Sequence, residues 1–466
     1  MRREQTDVVV IGAGMAGLCA AVTAIEKGAD VLVLEKGNRV GGSMLLSHGL
    51  IWTFSDKRQL KHEIPDGNEA LQELVVDHLP AGHAWLEELG IALEPETSFE
   101  WYGQGRAADP RSMTSTLMQQ LDEKGGRLRV RTGMQRLLLC DDQVAGVVAF
   151  DDEGPLVVEA KSAVLATGGF QGSASLITQY ITPHANSLYL RSNPWSAGDG
   201  FLAATTAGAA ATTHLNCFYG HALAAPPARF SHHEFSNLTQ RYGQFAVALN
   251  LEGRRFADES EGTGEEALNL AMATQPNATG IYIVDAFIAN GAGPNAYPPQ
   301  IAIDRARNAG GPVLCADTLE ELAAKLSDWS VPSGVALASL REYNAAIREG
   351  RGSTLFPSRQ KNAVPLDTAP FTAVMVRSGI TFTCGGLQAD LDMNVLRRSL
   401  TTSTLALTKA DMDELSLTPM ANLYAAGCDL GGISTRGYVG GLATALVTGR
   451  IAGESAAYNA RHNDLK

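Results

Sequence analysis

Residues 7–37 read DVVVIGAGMAGLCAAVTAIEKGADVLVLEKG, and the order of residue types in this stretch decides the fold. Val8 to Ile11 form a short continuous apolar run, the pattern of a parallel strand buried on both faces. Gly12, Gly14 and Gly17 then make a GxGxxG turn that includes Ala16. Gly12 permits the turn, Gly14 lets a pyrophosphate approach the backbone, and Gly17 lets the following helix pack on the strand. A helix starting near Met15 directs its N-terminal amides at the phosphates. The second strand ends at Glu35, followed by Lys36; a carboxylate there accepts both ribose hydroxyls of an adenosine and repels a 2′-phosphate. A bare GxGxxG is a weak signal, but two flanking strands and the acid make it a dinucleotide-site signature.

Further along, the same theme recurs. RVGGSMLLSHG (39–49) offers Gly41, Gly42 and Ser43 as a second backbone cradle. AKSAVLATGGFQGS (160–173) is an apolar strand that ends in Ala166, Thr167 and Gly168, and SAGDGF (196–201) carries Asp199. Near the end, NLYAAGCDLGG (422–432) brings Gly427 and Asp429, and Gly441 and Leu442 open a small-residue helix. These glycine-bearing strand ends are expected to converge on one long ligand. Because they lie at both extremes of the chain, we expect an α/β fold: a discontinuous Rossmann-type domain (1–215 and 366–466) with an inserted α+β capping domain (216–365).

Bulk properties narrow the function. A net charge of -13 without a basic stripe argues against nucleic acid. Six cysteines without a CxxC or secreted-type spacing point to a reduced cytoplasmic protein without a disulfide framework or structural zinc. The first residues have the charge and apolarity of an export signal, but the patterned glycines make a strand the better account. No run of 18 apolar residues predicts a membrane span. His232, His233 and Glu234 have no companion ligands at zinc spacing and read as a surface loop, so no metal is expected. Arg254 and Arg255 read as ion-pair partners of Asp258 and Glu259.

The chain resembles the flavoproteins of the fumarate reductase and succinate dehydrogenase type, within them the tricarballylate dehydrogenase-like branch. The resemblance rests on GAGMAGLCAA with Glu35, GGS at 41–43, ATGGF at 166–170, SAGDGF, NLEGRRFADE at 250–259, GITFTCGGL at 379–387 and GRIAG at 449–453. It implies FAD as cofactor. It also shows departures: Cys428 stands where relatives carry a glutamate, with Asp429 beside it as a substitute acceptor, and Met44 stands where some relatives attach FAD through a histidine. Noncovalent FAD is therefore expected, with His48 the nearest imidazole.

The resemblance also locates the chemistry. Thr263 occupies the position of the arginine that donates the proton in fumarate reductases, Phe382 and Thr383 replace a substrate histidine, and Tyr438 replaces an arginine before the last glycine pair. His221, in CFYGHAL, matches a substrate-binding histidine. The expected reaction introduces or reduces a carbon–carbon double bond next to a carbonyl or carboxylate, by hydride transfer between substrate and flavin N5. Tyr438 is the expected proton-transfer group, with His221 and Arg436 as neighbours. Arg191, Thr383 and Gly440 are candidate substrate contacts, and Trp195, Phe218, Tyr219 and Tyr102 candidate walls of the site. Ketosteroid dehydrogenases, a sister branch, place a tyrosine beside such a glycine loop, which makes a cyclic ketone the alternative substrate. A noncatalytic FAD-binding redox or scaffold subunit is the alternative of another class. No second nucleotide fold or iron–sulfur spacing is present, so the small-molecule reaction passes electrons to an acceptor the sequence does not name.

Overall fold

The computed structural model describes residues 2–99, 102–231, 234–262, 264–291, 298–399 and 416–462. Thr263, His232 and His233 lie outside the described residues. Among the described residues no helix is long and apolar enough to cross a membrane.

The N-terminal stretch folds as its pattern requires: β1 (Arg2–Ile11), α1 (Met15–Glu26) and β2 (Val31–Leu34). Val8, Val9 and Val10 are fully buried, which explains why no polar residue alternates with them. β3 (Arg127–Arg129) pairs parallel with β2. A hairpin of β4 (Gly133–Cys140) and β5 (Gln143–Asp151) leads into β6 (Gly154–Leu165), which pairs parallel with β1.

The middle of the chain builds a second sheet. It contains β7 (Val247–Leu249), β8 (Thr279–Val284), β9 (Val313–Ala316) and β10 (Phe371–Arg377), with the short strand Leu223–Ala224 at one edge. β10 pairs antiparallel with β8, β9 and Leu223–Ala224. This sheet therefore runs past residue 365, where the cap was expected to end, because the strand that unites its pieces lies later in the chain. Its core is separate, built from Val247, Leu268, Ile281, Ile283, Leu340 and Val374 among others.

The chain then returns to the first sheet through β11 (Asn394–Ser399) and β12 (Ser416–Ala425), and closes with the helix α2 (Gly441–His462). The order is β11-β12-β6-β1-β2-β3, with β12 parallel to β6. Register matters most here. Ile11 is paired with Leu34 and Leu165, and Leu165 with Ala425. Residues 12, 35, 166 and 426 therefore leave the sheet at one carboxyl edge, where open α/β sheets bind ligands.

Inside the second sheet's core lies an ionic cluster. Glu259 and Arg359 are fully buried; Glu259 accepts from Arg255 Nε at 2.9 Å, Arg359 Nη1 at 3.0 Å and the Ala248 amide at 3.0 Å. The expected Arg255–Glu259 pair thus forms with a second arginine added, while Asp258 instead takes Ser260 and Ser358 hydroxyls. Removing the shared anion leaves two buried guanidinium groups unpaired. Glu259→Ala is predicted to destabilise the protein by about 3–5 kcal/mol, read as a lower urea midpoint of unfolding. An unchanged midpoint would show that the cluster contributes nothing.

Candidate active site

At the carboxyl edge of the first sheet opens a cavity of about 790 Å³. Of the residues singled out in the sequence, Gly12, Gly14, Ala16, Glu35, Lys36, Gly42, Ser43, Ala166, Thr167, Gly168, Asp199, Gly427, Gly441 and Leu442 line it. So do Arg191, His221, Tyr219, Trp195 and Tyr438.

One end of the cavity is built of backbone. A Cβ on Gly12 would lie 2.2 Å from Ala166 O, and one on Gly17 would lie 1.9 Å from Gly12 O, so strand end, turn and helix touch without intervening side chains. Gly14 differs. The nearest atom to a Cβ there is Gly42 Cα at 4.0 Å, so Gly14 leaves a cradle open toward the cavity. Gly14 caps α1 without a side-chain hydrogen bond, leaving the first amides of the helix to a ligand. Glu35 is buried, with Oε2 accepting the Ala13 amide at 2.8 Å and Oε1 the Gly37 amide at 2.6 Å. Each oxygen keeps capacity for a second donor. An uncapped helix start, an open glycine cradle and an anchored carboxylate are what a dinucleotide needs.

The other end is aromatic and charged. Two short strand pairs join the sheets there: Tyr189–Leu190 with Gly379–Ile380, and Phe218–Tyr219 with Phe382–Thr383. They bring Arg191, Tyr219 and Phe382 to one wall. The Tyr219 and Tyr438 rings stack at 3.8 Å between centroids and 14° between planes, and Trp52 meets Tyr438 edge-on at 5.4 Å. Tyr438 Oη accepts the Gly441 amide at 2.8 Å, at the start of α2; burial pushes its phenol up to about 12.

Tyr219 Oη lies 2.8 Å from His221 Nε2, and His221 Nδ1 lies 2.7 Å from Oε1 of the buried Glu265. Neither Nδ1 nor either oxygen of Glu265 has another hydrogen-bond partner. Nδ1 and Oε1 are within ion-pair reach without formal hydrogen-bond alignment; the separation is the informative quantity, because two bare lone pairs repel at that distance and a proton must sit between them. Burial, reinforced by Arg191 and Arg241, holds the His221 imidazole neutral, well below its ordinary range. Burial and Glu266 raise the Glu265 carboxyl well above the usual carboxylate range.

Arg191 is buried. It donates to Thr381 Oγ1 at 2.9 Å and Thr239 Oγ1 at 3.3 Å, sits 4.8 Å over the Phe235 ring, and keeps Nε unpartnered. Among the described residues no carboxylate neutralises it through an ion pair. Arg241 and His48 line the same region.

Residues 7–441 match the FAD binding domain family. The chain belongs to that family. This flavoprotein is 27% identical to the NADH:fumarate oxidoreductase of Klebsiella pneumoniae (strain 342), over 98% of the chain but 48% of that protein. The chain therefore spans about half the length of that relative. It is 25% identical to the 4-oxocyclohexanecarboxylate 2-dehydrogenase of Sinomonas cyclohexanicum, over 98% of the chain and 94% of that protein. Its fold matches that of 3-ketosteroid delta1-dehydrogenase from Sterolibacterium denitrificans with a TM-score of 0.70 at 18% identity, covering 97% and 99% of the two chains.

Several sequence expectations land elsewhere. Arg436, expected beside Tyr438 in the site, is exposed and pairs with Glu261 at 2.9 Å; the turn at Gly437 carries its side chain away. Asp429, the expected substitute acceptor, does not line the cavity: its carboxylate binds the Thr167 amide and hydroxyl and the Gly169 amide, and so holds the loop that does. Thr383 is buried behind that wall and accepts the Phe170 amide at 3.3 Å. Gly440 presses on Trp52 O, where a Cβ would come within 1.8 Å. Gly41 and Gly17 support the lining rather than join it, as do Phe218 in the core and Tyr102, stacked behind Trp52 on Phe54. Sequence reading missed Arg241 and Glu265, which sit in no motif. Only GTGEEALNL, where two acids open an apolar helix pattern, marks the second.

Filling the cradle tests the cofactor assignment. Gly14→Val adds methyl groups from a Cβ position whose nearest neighbour, Gly42 Cα, lies 4.0 Å away, so we predict an unchanged unfolding midpoint with FAD content lost on gel filtration. Full retention of flavin would place the phosphates elsewhere.

Proposed function

We propose that this flavoprotein forms or reduces a carbon–carbon double bond next to a carboxylate or carbonyl, with FAD held noncovalently along Gly12–Gly17, Glu35, Gly42–Ser43 and Thr167–Gly168. The observation that carries the reading is Arg191. Burying a guanidinium without a countercharge is costly, and here it faces a cavity that Arg241 also lines, likewise without an ion pair among the described residues. An incoming carboxylate supplies the missing charge and its planar match to the guanidinium.

Bound FAD supplies the two-electron chemistry, exchanging a hydride with one substrate carbon. The chain's own residues do the rest. Arg191 and Arg241 bind and orient the anion. Trp52, Phe235 and Phe382 exclude water around the reacting bond. A phenol of the Tyr219–Tyr438 pair exchanges the proton at the neighbouring carbon. Tyr438, expected from the sequence to do this, has the Gly441 amide and the start of α2 to stabilise its anion.

A cyclic substrate carrying both a ketone and a carboxylate is a second reading. The aromatic walls favour a ring, and the relative named for 4-oxocyclohexanecarboxylate supports that combination.

The reading is tested by anaerobic absorbance of the flavin against dicarboxylates, tricarboxylates, cyclic keto acids and their unsaturated counterparts. One class should bleach the oxidised flavin or recolour the reduced one; inertness toward every carboxylate, with reaction of neutral ketones only, would overturn the anion site. With that substrate, Arg191→Met should raise KM at least about tenfold, the scale of one charge-assisted contact, and leave flavin content intact. Met44 lines the cavity near His48, and neither is expected to be linked to the cofactor. Acid precipitation should therefore release all the flavin into the supernatant, whereas a yellow pellet would show a covalent bond.

A further inference from the structure

The reading above leaves open how the proton reaches the site, and the two phenols differ in this respect. Tyr438 Oη is bound to a backbone amide, which cannot resupply a proton during turnover. Tyr219 Oη leads to His221 Nε2 at 2.8 Å, and Nδ1 of the same ring leads to Glu265 at 2.7 Å. The three groups form an unbroken line from the cavity wall into the protein. Glu265 is 2% exposed, and among the described residues neither of its oxygens has a partner outside this line. Buried carboxyl groups are almost always hydrogen-bonded, so an isolated one touching an imidazole needs a reason.

The surroundings show which way protons run. Facing Glu265 are His221, Glu266, the phenols of Tyr242 and Tyr282, and the guanidinium groups of Arg191 and Arg241. A protonated Glu265 donates to Nδ1, which puts the ring proton on Nε2, aimed at Tyr219 Oη, and frees the Tyr219 O–H for the cavity. An ionised Glu265 instead accepts from Nδ1–H, and Nε2 then accepts the Tyr219 O–H. The two arrangements differ by one proton, the one the line gives up through Tyr219.

We infer that Tyr219 is the catalytic proton donor of this enzyme, that His221 and Glu265 are positioning residues which resupply it, and that the site is arranged for reduction of the double bond. The step balances. The substrate carbon beside the one receiving the flavin hydride takes the Tyr219 proton; the Nε2 proton moves to Tyr219 Oη; the Glu265 proton moves to Nδ1. The double bond and the hydride electrons become two C–H bonds, Glu265 is left as carboxylate, and Glu266, half-buried and lining the cavity, is the entry for the next proton. Tyr438 then acts as the stacked neighbour that holds the Tyr219 ring in place.

This inference rests on the function proposed above, and its test separates the two. Flavin is reduced anaerobically with dithionite and mixed with the unsaturated substrate found in the absorbance panel, and reoxidation is followed against pH. Tyr219→Phe should slow reoxidation on the order of 10²-fold or more, the scale of a general acid, with flavin content unchanged, and Tyr438→Phe should slow it less. In wild type the rate should fall as pH rises through the raised value of Glu265, because the donor arrangement needs its proton. Glu265→Gln, isosteric but unable to release a proton, should remove that dependence while lowering the rate. A Tyr219→Phe rate equal to wild type, or a collapse in Tyr438→Phe alone, would overturn the assignment. If a saturated compound bleaches the oxidised flavin but none reoxidises the reduced one, the reductive assignment is overturned; if neither occurs, the function proposed above fails, and the line of protons is judged by infrared spectroscopy alone. A carbonyl band of a protonated acid, lost in Glu265→Gln and shifted in His221→Ala, supports it; an ionised Glu265 at neutral pH refutes it.

Discussion

Backbone pressed against backbone at the carboxyl edge of one parallel sheet is the constraint on which this protein depends. The turn after β1 lies against the strand end at Ala166, and the start of α1 lies against the turn, with no room for a Cβ at Gly12 or Gly17. The closing helix α2 continues the pattern: a Cβ on Gly449 would meet Ala16 O at 2.4 Å and one on Gly453 would meet Ala20 O at 2.2 Å. The two ends of the chain are thereby locked together over 400 residues of intervening sequence. Gly427, anchored by its amide to Thr448 Oγ1 at 3.0 Å, completes the floor. Because these approaches are backbone to backbone, they fix the cradle's shape more rigidly than side-chain packing would.

Onto this rigid half the middle sheet adds the charged and aromatic wall. The two short strand pairs at the junction are the only regular hydrogen bonding among the described residues that couples Arg191 and Tyr219 to the stretch 379–383. Their energy is modest, and the precision of the site comes instead from stacking of Tyr219 on Tyr438 and from the Trp52 edge contact.

Two ways of burying an arginine divide structure from function here. Arg255 and Arg359 share Glu259, and their Nη groups also meet carbonyls such as Pro357 O, Gln244 O and Asn362 O. That cluster is paired in charge and lies in the second sheet's core. Arg191 has two threonine hydroxyls and an aromatic face, and no ion-pair partner among the described residues. Its incompleteness, like that of Glu265, is what a site built for a missing charge and a moving proton looks like.

The sequence by itself determined the nucleotide half. Val8–Ile11, the three glycines and Glu35 are local in the chain, and each acts through its own backbone conformation or strand register, so spacing alone carries the information. Thr167, Gly427 and Gly441 were legible for the same reason, since a glycine at a strand end constrains geometry wherever it occurs. The catalytic half was decided by tertiary structure. Whether Arg436 or Arg241 faces the cavity depends on the direction of a turn, not on residue type, and Asp429 was claimed by Thr167 and Gly169 rather than by the cavity. The line Tyr219–His221–Glu265 joins residues from a strand end and a distant helix start, brought within 3 Å by the packing of two sheets. Side-chain chemistry that works through such contacts leaves no period or spacing in the chain, because the distances that make it are set only when the whole fold closes.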